Sequence, residues 1–178
     1  VQQCGVGLVG LRRSDDGWAF AAPPLLRFGP ATDEEVQQVA AGLGIGPWDV
    51  LAAEWVDNGP GWIVVLLRDA EEVLAIQPDL GRMRFATGVL GPHPEDGPAD
   101  YEVRAFVPGL GVDEDPVTGS LNAGIATWML GSGRVSGGYT VRQGTAVGAH
   151  GLVRVAPEPD RIWIAGATRS VISGSFIL

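Results

Sequence analysis

Asp113-Glu114-Asp115-Pro116-Val117-Thr118-Gly119-Ser120, continuing as Leu121-Asn122-Ala123-Gly124-Ile125-Ala126-Thr127-Trp128-Met129-Leu130, is the stretch around which the rest of the chain is arranged. Acids and a proline lead into small polar residues, and beyond Ser120 only Asn122 and Thr127 interrupt an apolar run. The pattern predicts a tight loop feeding the N-terminus of a helix. Asp115 or Thr118 can cap its first turn, because a short side-chain oxygen accepts a backbone N–H there. Gly119 has no Cβ, so its backbone can lie close to another group. A helix without a polar face belongs inside a core, and Ile125 and Met129 are expected to be buried. Such a helix aims its free N–H groups and the positive end of its dipole at an anion or a developing negative charge. The plainer alternative is a capped core helix with no ligand, whose neighbouring acids only complement the dipole.

Working outward, residues 5–13 and 17–22 read as two strands joined by Ser14-Asp15-Asp16-Gly17, a hairpin signal. Ala22-Pro23-Pro24 reads as a linker. Thr32 with Glu35 three residues later is a capping box opening a helix over Glu34–Leu43. Val50–Val56 and Trp62–Arg68 read as strands around the turn Asp57-Asn58-Gly59-Pro60-Gly61, where Asn58 is read as a turn residue. A short helix over Ala70–Ile76 and a strand over Phe85–Leu90 follow. Pro92–Ala99 reads as a polar, proline-rich loop with His93 solvated in it. Tyr101–Val107, Tyr139–Val147, Gly151–Val155, Arg161–Ala165 and Val171–Leu178 complete the strands. Strands around one buried helix, with short helices outside, describe a mixed α/β or α+β domain.

The length of 178 residues can bury a real core, and 46% hydrophobic with 19% charged residues fits a globular chain. A net charge of −9 argues against a nucleic-acid partner. No apolar run is long enough to span a membrane, and the start does not resemble a signal peptide. A single cysteine, Cys4, favours a reducing cytoplasmic setting. No Cys/His cluster has metal-ligand spacing, so no metal is expected. Gly5-x-Gly7-x-x-Gly10 matches a dinucleotide fingerprint in spacing, but it continues as a strand without the βαβ context that motif needs.

Glu114-Asp115-Pro116-Val117-Thr118-Gly119-Ser120 resembles the EDP-x-TGS signature of the phenazine-biosynthesis (PhzF-like) isomerases, relatives of diaminopimelate epimerase. Gln143-Gly144 with Gly148 is similar to that family's QG…G segment, and the closing Gly166…Gly174 region is similar too. The resemblance covers nearly the whole chain, and the chain resembles the C-terminal three-fifths of a family member. It implies a diaminopimelate epimerase-like fold of the α+β class, with a curled mixed sheet around a buried central helix in each of two related halves. It implies an active site between the two helix N-termini and no cofactor. The chain begins at Val1 as if entered in mid-fold. By this resemblance, residues 1–24 are terminal strands of an otherwise missing N-terminal half. Residues 25–178 are the C-terminal domain, whose last strand returns to the first half.

The resemblance further implies a cofactor-independent isomerase or epimerase that shifts a proton on carbon in a small carboxylate-bearing metabolite. Asp115 is then the catalytic acid, and Gly119 and Ser120 bind substrate oxygens. The general-base glutamate would lie upstream of Val1, so the N-terminal half is an expected partner, in a homodimer. Leu121-Asn122 stands where many members have Ala-His, and Gly148-Ala149-His150-Gly151 where many have Gly-Arg-Pro-Ser. No cysteine lies near Gly119, unlike the diaminopimelate epimerases. The alternative is a non-catalytic binding or scaffolding protein of the same fold. Glu54, in a predicted strand without a partner, and the two histidines in predicted loops offer no substitute base.

Overall fold

A computed structural model of the chain describes residues 1–5, 7–14, 17–109, 111 and 113–175, and for Cys4 the backbone alone. The N-terminal stretch read as one strand breaks into β1 (Gln2–Cys4), β2 (Gly7–Val9) and β3 (Leu11–Ser14), and β4 is Gly17–Ala21. β1 and β2 pair as a separate two-stranded sheet, whereas β3 and β4 pair antiparallel with Ser14 opposite Gly17. Asp15 and Asp16 of the expected turn, and Val6, lie outside the described residues. Beyond the prolines the chain forms β5 (Arg27–Pro30), an element the sequence reading missed, and then α1 (Asp33–Leu43). The Thr32/Glu35 capping box is formed in both directions, and Gly44 ends α1 in the left-handed region at φ 73°.

β6 (Ala52–Asp57) and β7 (Trp62–Leu66) flank the Asn58-Gly59 turn, followed by α2 (Ala70–Ala75), β8 (Ala86–Pro92), β9 (Tyr101–Phe106) and α3 (Gly119–Gly131). β10 (Tyr139–Gln143) stops short of Val147, because Gly144 turns the chain at φ 86° into a 3-10 turn over Thr145–Val147. β11 (Gly151–Glu158) and β12 (Arg161–Ala167) run longer than their sequence signals. Residues 168–175 carry no strand, contrary to the expected Val171–Leu178, of which 176–178 lie outside the described residues.

The ten strands β3 to β12 form one mixed sheet in the order β3-β4-β12-β11-β10-β9-β8-β7-β6-β5. Within it, neighbours are antiparallel except β7–β8 and β9–β10. Each parallel pair needs a crossover, and α2 and α3 supply them. Both crossovers step the same way along the sheet, but β8 and β9 are antiparallel, so strand direction reverses between them. The right-handed rule then sends α2 and α3 to opposite faces. Side-chain packing agrees. Trp62 and Val64 of β7 join α3, whereas the alternate residues Ile63 and Val65 join α1 and α2. Covered on both faces, β7 reads as an unbroken apolar run.

The α3 cluster draws residues from β6 through β12. Ile125 is fully buried and Met129 is 2% exposed, as the missing polar face predicts. Close approach is achieved through glycines. A Cβ on Gly124 would lie 2.6 Å from the Val56 carbonyl oxygen, and one on Gly88 2.5 Å from Leu121 Cδ1. No helix among the described residues is long and apolar enough to cross a membrane.

The parallel pair β9–β10 is pinned at its start by Asp100. Its carboxylate accepts from the Thr140 hydroxyl at 2.7 Å and the Thr140 N–H at 2.6 Å. Those bonds, the hydroxyl's first, hold the Asp100 carboxyl below its usual value against partial burial.

Two outcomes follow for stability. Gly124→Ala should destabilise the fold by about 1–3 kcal/mol through overpacking against Val56. Gly131→Ala, where nothing lies within 4 Å, should be neutral or stabilising by up to about 1 kcal/mol. Equal urea midpoints for the two variants would contradict the packing described. A depressed carboxyl contributes stability that is present above its unfolded value of about 3.9 and lost as pH falls through its folded value. The wild-type advantage over Thr140→Val should therefore be present near neutrality and shrink below about pH 4. Parallel pH–stability profiles would rule out this role for Thr140.

Candidate active site at the N-terminus of the central helix

The turn before α3 is built on one side chain, Gln143, at the end of β10 and fully buried. Its Nε2 donates to the Asp115 carbonyl at 3.0 Å and to Thr118 Oγ1 at 2.9 Å. Its Oε1 accepts from the Thr118 N–H at 3.1 Å and from Asn122 Nδ2 at 2.8 Å. With Thr118 Oγ1 accepting from Gln143, the threonine's own proton goes to Asp115 Oδ2, 2.8 Å away. Asp115 is further fixed by its N–H donating to the Ala105 carbonyl. Gly144 backs the turn so closely that a Cβ there would stand 2.5 Å from the Pro116 carbonyl oxygen.

The expected side-chain cap is absent. Thr118 occupies the N-cap position, but its hydroxyl makes no capping bond, and Asp115 receives that hydroxyl instead. Among the described residues no acceptor meets the N–H groups of Gly119, Ser120 and Leu121. The helix end therefore keeps its donors and its dipole available.

Ser120 is held from the neighbouring strands. Trp62 Nε1 donates to Ser120 Oγ at 3.1 Å, which leaves the serine proton free to donate elsewhere. Asn58 Nδ2 donates to the Ser120 carbonyl at 2.8 Å. Asn58 is thus more than the turn residue its sequence context suggested: it is 4% exposed and braces the helix end. Phe20 of β4 lies where a Cβ on Gly119 would be, at 3.2 Å, so a side chain at 119 would press on that ring. Asn122 donates to Gln143 and to the Thr118 carbonyl. Among the described residues, the buried Oδ1 atoms of Asn58 and Asn122 have no partner.

Glu114 anchors the same loop from the other side of the sheet. Arg104 Nε and Nη2 grip its carboxylate at 3.1 and 2.7 Å, and Arg104 Nη1 donates to the Val73 and Ile76 carbonyls. Glu114 is therefore a buried structural acid rather than a surface charge at a helix start. Asp115, Gly119 and Ser120, the three residues singled out from sequence, come together at one half-buried helix end.

The histidines sit apart from it. His150 is exposed, with φ 53°. His93 corrects the reading as a solvated residue: its side chain is 10% exposed and its Nε2 lies 3.0 Å from Glu102 Oε2. The loop after it closes over the ring, because Gly97 leaves room that a Cβ would take at 2.7 Å from His93 Cβ. Among the described residues no three of His, Cys, Asp and Glu gather as a metal-binding group.

An α+β chain with a mixed sheet on a buried crossover helix, and an open helix end carrying an acid and a serine, matches a known class. The profile of the phenazine biosynthesis-like (PhzC–PhzF) proteins covers residues 25–174, and the chain belongs to that family. An uncharacterized isomerase of Pseudomonas aeruginosa is 31% identical over 172 residues, covering 94% of this chain and 60% of its own length. Antisense-enhancing sequence 1 of Schizosaccharomyces pombe is 27% identical over 201 residues, covering 99% of this chain and 67% of its own length. A PhzF-family phenazine biosynthesis protein of Enterococcus faecalis has the same fold, with TM-score 0.71 at 20% identity over 99% of this chain and 64% of that one. The family protein of Bacillus anthracis gives 0.67 at 14% identity over 89% and 61%. The chain thus spans about three-fifths to two-thirds of these relatives' length.

Removing the Gln143 amide strands several buried polar groups at once, each worth about 1–3 kcal/mol. Gln143→Leu should lower unfolding free energy by about 2–4 kcal/mol, against about 0.5 or less for the exposed Gln37→Leu. Equal chemical-denaturation midpoints would show that the amide does not hold this loop.

Proposed function

We propose that the chain is the C-terminal half of a cofactor-independent isomerase or epimerase, acting by proton shift on carbon in a small carboxylate-bearing metabolite. The observation that carries the proposal is the open N-terminus of α3, which sets unpaired N–H groups beside the oriented Asp115 carboxylate. Removing a proton next to a carbonyl puts negative charge on oxygen, and fixed N–H donors stabilise that charge without reorganising. In this reading Gly119 and Ser120 hold the substrate oxygens and the Ser120 proton donates to one of them. Asp115 returns or relays the proton. The description of the Pseudomonas relative as an isomerase and the family membership support the reaction class.

The sheet curled about α3 would be one of two related halves, with residues 1–24 the closing strands of the other. The general-base glutamate would come from that other half, supplied upstream or by a companion chain. β4 already reaches the site through Phe20 and pairs with β12, which is how the two parts would meet.

In a complete active assembly containing this chain, Asp115→Asn should lower turnover about a hundred-fold or more with little change in stability. Ser120→Ala should raise KM more than it lowers kcat, as loss of ground-state binding does. The 178-residue chain alone should not exchange the α-hydrogen of amino or hydroxy acids with deuterated solvent. Exchange by the pure chain that vanishes in Asp115→Asn would place the base within these residues and overturn the division of labour. Full activity of Asp115→Asn in the assembly would remove Asp115 from the mechanism.

A further inference from the structure

At the opposite end of α3 from Ser120, a cleft of about 650 Å³ lies between that helix and the edge of the sheet. Its wall is apolar and aromatic, with Leu25, Phe28 and Trp128, and it holds one ionisable side chain, Glu54. We infer that this cleft binds a small organic ammonium compound, an alkyl or arylalkyl amine whose charged head pairs with Glu54 and whose body lies against Leu25, Phe28 and Trp128.

Two independent features set the sign of the ligand's charge. The first is Glu54. Burial pushes its carboxyl up, opposed by the Gly29 N–H and the charge of Arg134. A carboxylate in apolar surroundings is destabilised unless a cation joins it. The chain contains no lysine, and Arg27, stacked on the Trp55 ring on the other face of the sheet, pairs with Glu35. Arg134 stacks on Trp128 with its guanidinium carbon 5.3 Å from the ring centre, and it forms no ion pair among the described residues. The second feature is the helix terminus. Gly131 and Ser132 line the cleft, so it faces the negative end of the α3 dipole, and the last turn itself carries no basic residue, the nearby cation being Arg134 just beyond it on Trp128.

The shape selects the rest of the ligand. The volume lies within the range of small-molecule pockets, and the lining offers indole and phenyl surface with few polar partners beyond the carboxylate. An apolar body with one cationic head fits these walls. A sugar, nucleotide or dicarboxylate would leave its polar groups unpaired. The inference does not depend on the proposed isomerase activity, since the two sites share only the helix between them.

The test is calorimetric titration of the 178-residue chain with 2-phenylethylammonium, neutral 2-phenylethanol and 3-phenylpropionate. The ammonium compound should bind about ten-fold or more tightly than the alcohol, and the carboxylate most weakly. Glu54→Gln should bring the ammonium affinity down to that of the alcohol and leave the alcohol unchanged. Arg134→Ala should tighten ammonium binding by removing the competing charge. Equal binding of amine and alcohol to the wild type, preference for the carboxylate, amine binding that survives Glu54→Gln, or no binding at millimolar ligand would each overturn the inference. The wild-type comparison and Arg134→Ala decide the matter even if the Glu54 variant does not fold.

Discussion

The carboxamide of Gln143 makes four hydrogen bonds in a place where no water competes, and the candidate site depends on all of them. Two of them fix the backbone of Asp115 and Thr118. One fixes the Thr118 hydroxyl, whose proton then has a single direction left, toward Asp115. The last ties the loop to Asn122 in the first turn of the helix. A threonine that would ordinarily cap the helix is thereby committed elsewhere, and the first-turn N–H groups stay uncovered. An amide suits this position because it both donates and accepts, and because it brings no charge into the core.

That clamp works only because the sheet topology delivers β10 beside β9. α3 leaves β9, crosses one face of the sheet and returns to β10 in parallel, so the start of the helix and the end of β10 meet at the same edge. Crossover handedness places α2 on the other face, where its last carbonyls receive Arg104 and so connect to Glu114. The loop from Glu114 to Thr118 is thus held from both faces, by an ion pair on one and an amide on the other. Glycines at 88 and 124 let the helix sit close enough for Trp62 and Asn58 to reach Ser120.

Periodicity and punctuation made most elements legible. The apolar run after Ser120 predicted the buried helix, the capping box predicted α1, and Asp115, Gly119 and Ser120 were singled out through the family motif. The misses have physical causes. β5 is only four residues, Arg27-Phe28-Gly29-Pro30, with Arg27, Phe28 and Pro30 all exposed, which gives no alternation to read. Asn58 looked like turn chemistry because its backbone does form the turn, while its side chain does something long-range. Gln143 was visible only as part of a motif, since nothing in a strand sequence says which side chain will meet a loop 25 residues earlier. A lone amide in the first turn of an apolar helix, Asn122, was the one local sign that a buried polar network would be found there. His93 misled for the opposite reason: its proline-rich neighbours imply solvent, but the loop folds back on the ring.

Chemistry at this helix end requires the N–H groups at the start of α3 to be open to a carboxylate. Titrating the 15N-labelled chain with a small carboxylate such as benzoate, and following backbone amides by NMR, tests this directly. Saturable shifts should centre on Gly119, Ser120 and Leu121, and should be lost in a variant that fills the space beside Phe20 with a side chain at 119. Shifts centred elsewhere, or none at these three amides while the rest of the spectrum shows a folded protein, would contradict it.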